Sequence, residues 1–195
     1  PAMILSDGAI GQMMEKVVLS EQKERRTEEE IKKAFPWSTT GASGKDRNII
    51  TSLELDPAKQ EKVNLHLQEK YKALEENEVL FEESSCEDAE YLLVAYGTSA
   101  RLCQQTVKLA REKGIRLGLL RPITLWPFPK KEIARLIDNG VKGVLSVEMS
   151  AGQMVEDVQL AAKGRVPVAH FGRFGGMIPS PEEILENLEQ KIIGG

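Results

Sequence analysis

Short apolar runs alternate with helix-spaced stripes through the second half of this chain. From Tyr91 onward, residues 92–96, 115–120, 143–147 and 166–171 are nearly continuous apolar runs of strand length. Between and after them lie polar stretches with apolar residues at helical spacing, which predict helices over 97–113, 130–138, 151–162 and 181–193. Strands apolar on both faces and joined by helices imply a largely parallel sheet covered on each side, a three-layer α/β/α domain over 91–195. One run stands out: IRLGLLRPITLWPFP, 115–129, is a buried strand that breaks at Arg121-Pro122 and ends with Trp126 held among prolines. Such a rigid corner routes a chain over the end of a strand.

Residues 1–90 read as an appendage. Residues 2–5 have strand chemistry, and 9–18 carry a helical stripe of Ile10, Met13, Met14 and Val17. One strand and one helix cannot make a core, so 1–18 are expected to be the severed remnant of a preceding domain. They should pack on the later helix or on a neighbouring molecule, or be poorly ordered, and should not form a strand of the C-terminal sheet. Residues 19–90 read as a linker with one long helix. It opens polar and charged, with capping-box spacing at Thr27 and Glu30 for a short helix that Pro36 must stop, then a small-residue stretch over 38–44. Asp56-Pro57 supplies an N-cap and first helical residue for a helix over 57–76, with Val63, Leu67, Tyr71 and Leu74 on one stripe.

Composition narrows the function classes. The chain has 195 residues, 41% hydrophobic and 29% charged, with a net charge of −4, which gives no footprint for nucleic acid or an anionic membrane. No apolar run approaches a bilayer span, and no leader opens the chain, so a cytoplasmic protein is expected. Cys86 and Cys103 lack C-x-x-C spacing and read as reduced thiols; His66 and His170 lack nearby partners, so no metal site is expected.

Ligands of open α/β sheets sit beyond the carboxyl ends of the strands, where three loops could carry chemistry. Gly97-Thr98-Ser99 is a small-residue turn into a helix, with Thr98 placed to cap it and its amides placed to receive an anion. In the second loop Ser150 and Gln153 have capping-box spacing around Gly152, which leaves Glu148 at the strand end as a base or a partner-holding carboxylate. The third, around Arg173, Gly175 and Gly176, is a cationic, glycine-rich loop ahead of a Ser180-Pro181-Glu182-Glu183 capping box. Arg121 falls on the same presumed edge, so two guanidinium groups could converge there on an anion or an acidic surface. No nucleophile–base pair or metal cluster appears, and no residue is assigned as catalytic.

YLLVAYGTSAR (91–101), the 115–129 run and VEMSAGQMVEDV (147–158) together resemble the α-subunit of 2-oxoacid:ferredoxin oxidoreductases, the 2-oxoisovalerate type above all. The resemblance covers nearly the whole chain as the C-terminal part of such a subunit, with 91–195 like a transketolase C-terminal domain. It implies an enzyme that uses thiamine diphosphate, magnesium and iron–sulfur clusters to convert a 2-oxoacid and CoA to acyl-CoA and CO2 while reducing ferredoxin. It implies β- and ferredoxin-like γ-subunits as partners, beside the chain's own N-terminal domain. No G-D-G motif, activating acid or cluster ligand set occurs here, so the fragment is expected to be inactive alone and to hold no cofactor. Three roles remain open: an assembly domain, an anion-, CoA- or effector-binding domain using Arg121, Arg173 and the Gly97 turn, or an independent α/β binding protein.

Overall fold

The computed structural model describes residues 2–14, 16–38 and 49–194. The chain divides into two units, one of residues 1–13 with 71–195 and one of residues 14–70. The smaller unit holds α2 (Glu28–Ala34) and the first two-thirds of α3 (Pro57–Asn77). Thr27 and Glu30 form the expected reciprocal capping box, and α2 stops before Pro36. Asp56 Oδ1 accepts from the Ala58 amide at 2.9 Å, so Asp56-Pro57 starts α3 as its spacing predicts. No described residue of this unit is buried. The 39–44 part of the small-residue stretch lies outside the described residues.

The larger unit begins with α1 (Gly8–Gln12) and continues from Tyr71 through a five-stranded sheet. Its elements are β1 (Phe81–Ser84), β2 (Tyr91–Ala95), α4 (Gly97–Glu112), β3 (Leu117–Pro122), α5 (Lys130–Asp138), β4 (Gly143–Glu148), α6 (Met154–Ala162), β5 (Val168–Gly172) and α7 (Pro181–Leu188). A π-helical turn, Glu189–Ile193, follows α7. Strand order is β1-β3-β2-β4-β5, parallel throughout except for β1. Alternating residues of each strand feed two cores. Leu92, Val94, Leu120 and Val144 pack with α5 and α6, whereas Leu93, Leu119, Leu145 and Val147 pack with α4 and α7. The three-layer α/β/α reading therefore holds.

Several local expectations fail for physical reasons. Residues 2–5 form no strand, because no sheet edge pairs with them. The helix expected over 9–18 runs only over Gly8–Gln12 and ends where Met13 turns extended. Two glycines lie in those five residues, and nothing buries the stripe beyond them, so propagation has little support. The edge strand β1 escapes a sequence reading because FEES is short and polar. It registers Glu82 against Arg121 and covers the edge of β3. β5 begins at Val168 instead of 166, after Pro167, which has no amide to donate to the ladder.

Gly118 marks the tightest crossing on β3. A Cβ there would meet the Ser85 carbonyl oxygen at 2.9 Å, the Ala89 Cβ at 3.0 Å and the Cys86 sulfur at 3.1 Å. Gly118→Ala should lower stability by about 1–3 kcal/mol, the cost of overpacking. Gly8→Ala, with no atom within 4 Å, should be neutral or slightly favourable. Urea unfolding midpoints of the two variants check this, and equal midpoints would contradict it.

Candidate functional site at the carboxyl edge of the sheet

Order reverses around β2: the chain steps from β2 to β3 on one side and then crosses to β4 on the other. The loops leaving β2 and β4 therefore diverge to opposite faces and leave a crevice between them, where ligands of this topology bind. The Gly97, Glu148 and Arg173 loops all follow parallel strands and share this carboxyl edge.

Glu148 is the centre of the β4 loop. Its residue exposure is 1%, and its carboxylate collects the start of α6. Oε2 accepts from the Gln153 and Met154 amides and Oε1 from the Val155 amide, each at 2.9 Å. The hydroxyls of Ser146 and Ser150 donate to it at 3.1 and 3.0 Å. Burial pushes this carboxyl up, but the three amides and the Ser150 hydroxyl outweigh it and hold it below the usual glutamate range. The capping box expected of Ser150 and Gln153 does not form: Gln153 makes no side-chain capping bond, and α6 starts at Met154. A buried carboxylate reaching three amides is a better acceptor than a neutral hydroxyl reaching one.

The Gly97 turn is also filled from within. Gly97 has φ +58°, Thr98 and Ser99 are buried, and α4 has no side-chain cap of its own at Tyr96. Thr98 does not cap the helix; its hydroxyl donates to Asp7 Oδ2 at 2.9 Å. Asp7 Oδ1 accepts from the Ile10 amide at 2.8 Å, and that bond is the largest of several holding the carboxyl below its ordinary value. The segment expected to pack on the 57–76 helix or on a neighbouring molecule, or to be poorly ordered, instead meets α4 through α1.

The two arginines do not converge. Arg121, on β3, pairs with Glu82 of β1 at 2.8 Å, whereas Arg173 follows β5 and pairs with Glu183. Strands β3 and β5 are three spacings apart, about 14 Å. Glu183 also accepts from the Ser180 amide at 2.9 Å and Ser180 Oγ from the Glu183 amide, so the capping box of α7 forms as its sequence predicts. Gly152, with φ +113°, lets its amide donate to Ser150, while Gly175 and Gly176 are exposed with positive φ. His170 Nε2 is buried without a partner, 3.9 Å from Glu148 Oε1.

Comparison with known proteins now places the chain. Residues 89–184 match the pyruvate:ferredoxin oxidoreductase core domain II. The chain is 42% identical to ketoisovalerate oxidoreductase subunit VorB of Methanothermobacter marburgensis, over 97% of this chain and 52% of that one. The chain belongs to the 2-oxoacid:ferredoxin oxidoreductase family. It is also 30% identical to the 2-oxoglutarate synthase subunit KorA of the same organism, over 96% of this chain and 56% of the other. The chain thus spans about half the length of these relatives, each of them an enzyme subunit. A solved 2-oxoglutarate:ferredoxin oxidoreductase from Magnetococcus marinus, with 2-oxoglutarate, coenzyme A and succinyl-CoA bound, aligns with a TM-score of 0.60 at 16% identity. It covers 76% of this chain and 27% of that one, a likeness of fold. The family resemblance read from the sequence is borne out.

The family implies thiamine diphosphate with magnesium and iron–sulfur clusters, and the residues of this core domain II do not fit them. Three amides at the start of α6, and the Thr98 amide and hydroxyl at the start of α4, already serve resident carboxylates, which would repel a diphosphate. Cys86 and Cys103 are buried in cores on opposite faces of the sheet, too far apart to share a cluster. Burial pushes the Cys86 thiol up to about 11 and the Cys103 thiol up further, away from the thiolate form a metal needs. Among the described residues no three His, Cys, Asp or Glu side chains group as metal ligands, and no helix is long and apolar enough to cross a membrane.

Replacing Glu148 should expose its role. Glu148→Ala leaves three amides and two hydroxyls unmatched, all of them buried or part-buried, and should cost on the order of 3–5 kcal/mol. The wild-type carboxylate's contribution is complete above the unfolded glutamate value of about 4.3 and is lost as pH falls through the lower folded value. Glu148→Gln should remove that part of the acid sensitivity, so denaturation of wild type and variant at about pH 5 and pH 3 should converge at the lower pH. Parallel pH profiles would contradict the assignment.

Proposed function

We propose that this chain serves as the assembly domain of the α-subunit of a thiamine-diphosphate-dependent 2-oxoacid:ferredoxin oxidoreductase of the ketoisovalerate type. The full enzyme converts a 2-oxoacid, CoA and oxidised ferredoxin to acyl-CoA, CO2 and reduced ferredoxin. The observation that carries this reading is that both helix N-termini beside the crevice face the chain's own carboxylates: Glu148 takes three amides at the start of α6, and Asp7 takes the Thr98 hydroxyl and amide at the start of α4. A domain built to bind CoA or an anionic effector would leave such amides open for its ligand. Arg121 and Arg173, the cations that reading would need, are each matched to a glutamate.

Assembly also suits what the edge does expose. Phe174, Met177 and Ile178 stand 66%, 56% and 46% accessible in the loop after β5, and apolar surface of this kind is more typical of contact with protein than with an anion. The partners proposed are the β-subunit, the ferredoxin-like or γ-subunit, and the N-terminal half of the α-subunit itself. Thiamine diphosphate, magnesium and the clusters would reside in those partners.

Isothermal calorimetry of this chain with thiamine diphosphate and magnesium, and separately with CoA, should show no binding. Co-expression with the β- and γ-type subunits and the remainder of the α-subunit should give a complex of defined stoichiometry on size exclusion. Micromolar CoA binding to the isolated chain would instead favour the effector-domain reading.

A further inference from the structure

Strand β5 carries one titratable side chain, His170, and sets it against the Glu148 cradle. His170 registers with Ser146 across β4 and β5, and Ser146 shares a face with Glu148 because strand side chains alternate. Imidazole, hydroxyl and carboxylate therefore meet on the side of the sheet that α6 covers. Ring Nε2 is buried without a hydrogen-bond partner, 3.9 Å from Glu148 Oε1.

Two glycines border the ring. A Cβ at Gly172 would lie 2.8 Å from both Cε1 and Nε2, and one at Gly152 would lie 3.8 Å from Cγ and Cδ2. Main chain from β5 and from the loop before α6 thus limits how far Nε2 can turn from the carboxylate. The other charged groups on the elements packed against β5 are Glu156 and Asp157 in the first turn of α6, and Glu189 and Lys191 in the turn after α7. Lys191 is engaged at the backbone, its Nζ 2.8 Å from the His170 carbonyl oxygen, and Glu189 pairs with Lys113. A bare nitrogen lone pair facing a carboxylate is repelled by it, so the neutral ring carries its proton on Nε2.

We propose that His170 is a proton-operated clasp. The neutral ring points its Nε2 hydrogen at Glu148, and the imidazolium formed by a second proton, on Nδ1, pairs with that carboxylate and tightens β5 onto the loop that starts α6. The clasp closes as pH falls through the range in which histidines take up charge, about pH 8 to 5, while Glu148 stays ionised. It requires no partner subunit and is independent of the assembly role.

Nitrogen NMR of the whole chain labelled in its histidines tests the geometry, since only His66 and His170 contribute and a His66→Gln spectrum assigns them. At about pH 8 His170 should show the Nε2–H tautomer, and the Nδ1–H tautomer would overturn the clasp. Hydrogen exchange, corrected for its intrinsic pH dependence, reads the tightening. Protection in peptides covering 153–155 and 172–174 should rise about three- to tenfold between about pH 8 and about pH 5.5, the gain of one charge-assisted hydrogen bond, with α4 peptides unchanged. His170→Asn should abolish the rise. No rise in the wild type, or an equal rise in His170→Asn, would overturn the clasp; if that variant does not fold, the wild-type tautomer and pH response decide.

Discussion

The last residue of β4 buries a carboxylate, and much of the functional edge is arranged around it. Removing Glu148 from water is expensive, and the expense is offset only because five donors converge on its two oxygens. Those donors come from β4 itself, from the following loop and from the first turn of α6, so the side chain fixes the loop's path and the helix's starting point together. Its main chain reaches the other way: the Arg173 amide donates to the Glu148 carbonyl at 3.2 Å, anchoring the exit from β5. The same region leaves no room for a side chain at Gly172, where a Cβ would stand 2.2 Å from the Ser150 carbonyl oxygen. Glycine is therefore required on β5 by a loop that Glu148 holds in place.

This arrangement fills a common binding topology from within. A flavodoxin-like strand order leaves helix N-termini facing a crevice, with partial positive charge available to a ligand. Here that charge is met internally, at α6 by Glu148, at α4 by Asp7 and at α7 by Glu183. Arg121 and Arg173 are likewise neutralised where they stand.

The layers and the parallel sheet were legible because apolar runs of strand length and helical stripes follow from burial on both sides of a sheet. Caps within four residues were legible too: Thr27 with Glu30, and Ser180 with Glu183, form as their spacing requires. Ser150 and Gln153 have the same spacing, yet the stronger acceptor at Glu148 displaces that box. Local pattern names the candidates for a cap, and the competition among acceptors decides between them. β1 was missed because its four residues depend on Arg121 and the edge of β3, not on any apolar period of their own. Arg121 and Arg173 looked convergent only because strand order, which sets the distance between them, is not written in the spacing of residues.

Asp7 shows where sequence reading stops. Its neighbourhood, Asp-Gly-Ala-Ile, does announce a helix start, and α1 begins there. Nothing local announces that the other oxygen serves Thr98, because that bond closes a loop of 91 residues. The three caps on this edge reach their helices across different lengths of chain: three residues for Glu183, five to seven for Glu148 and ninety-one for Asp7. Closing a longer loop costs more conformational entropy, though the increase is only logarithmic. The distant cap is also the one with least burial behind it, since Glu148 sits in the core and Asp7 on a segment with no buried residue. Opening free energy follows buried contact, so the caps that local spacing announces and the one it does not are also unequal in the burial that backs them.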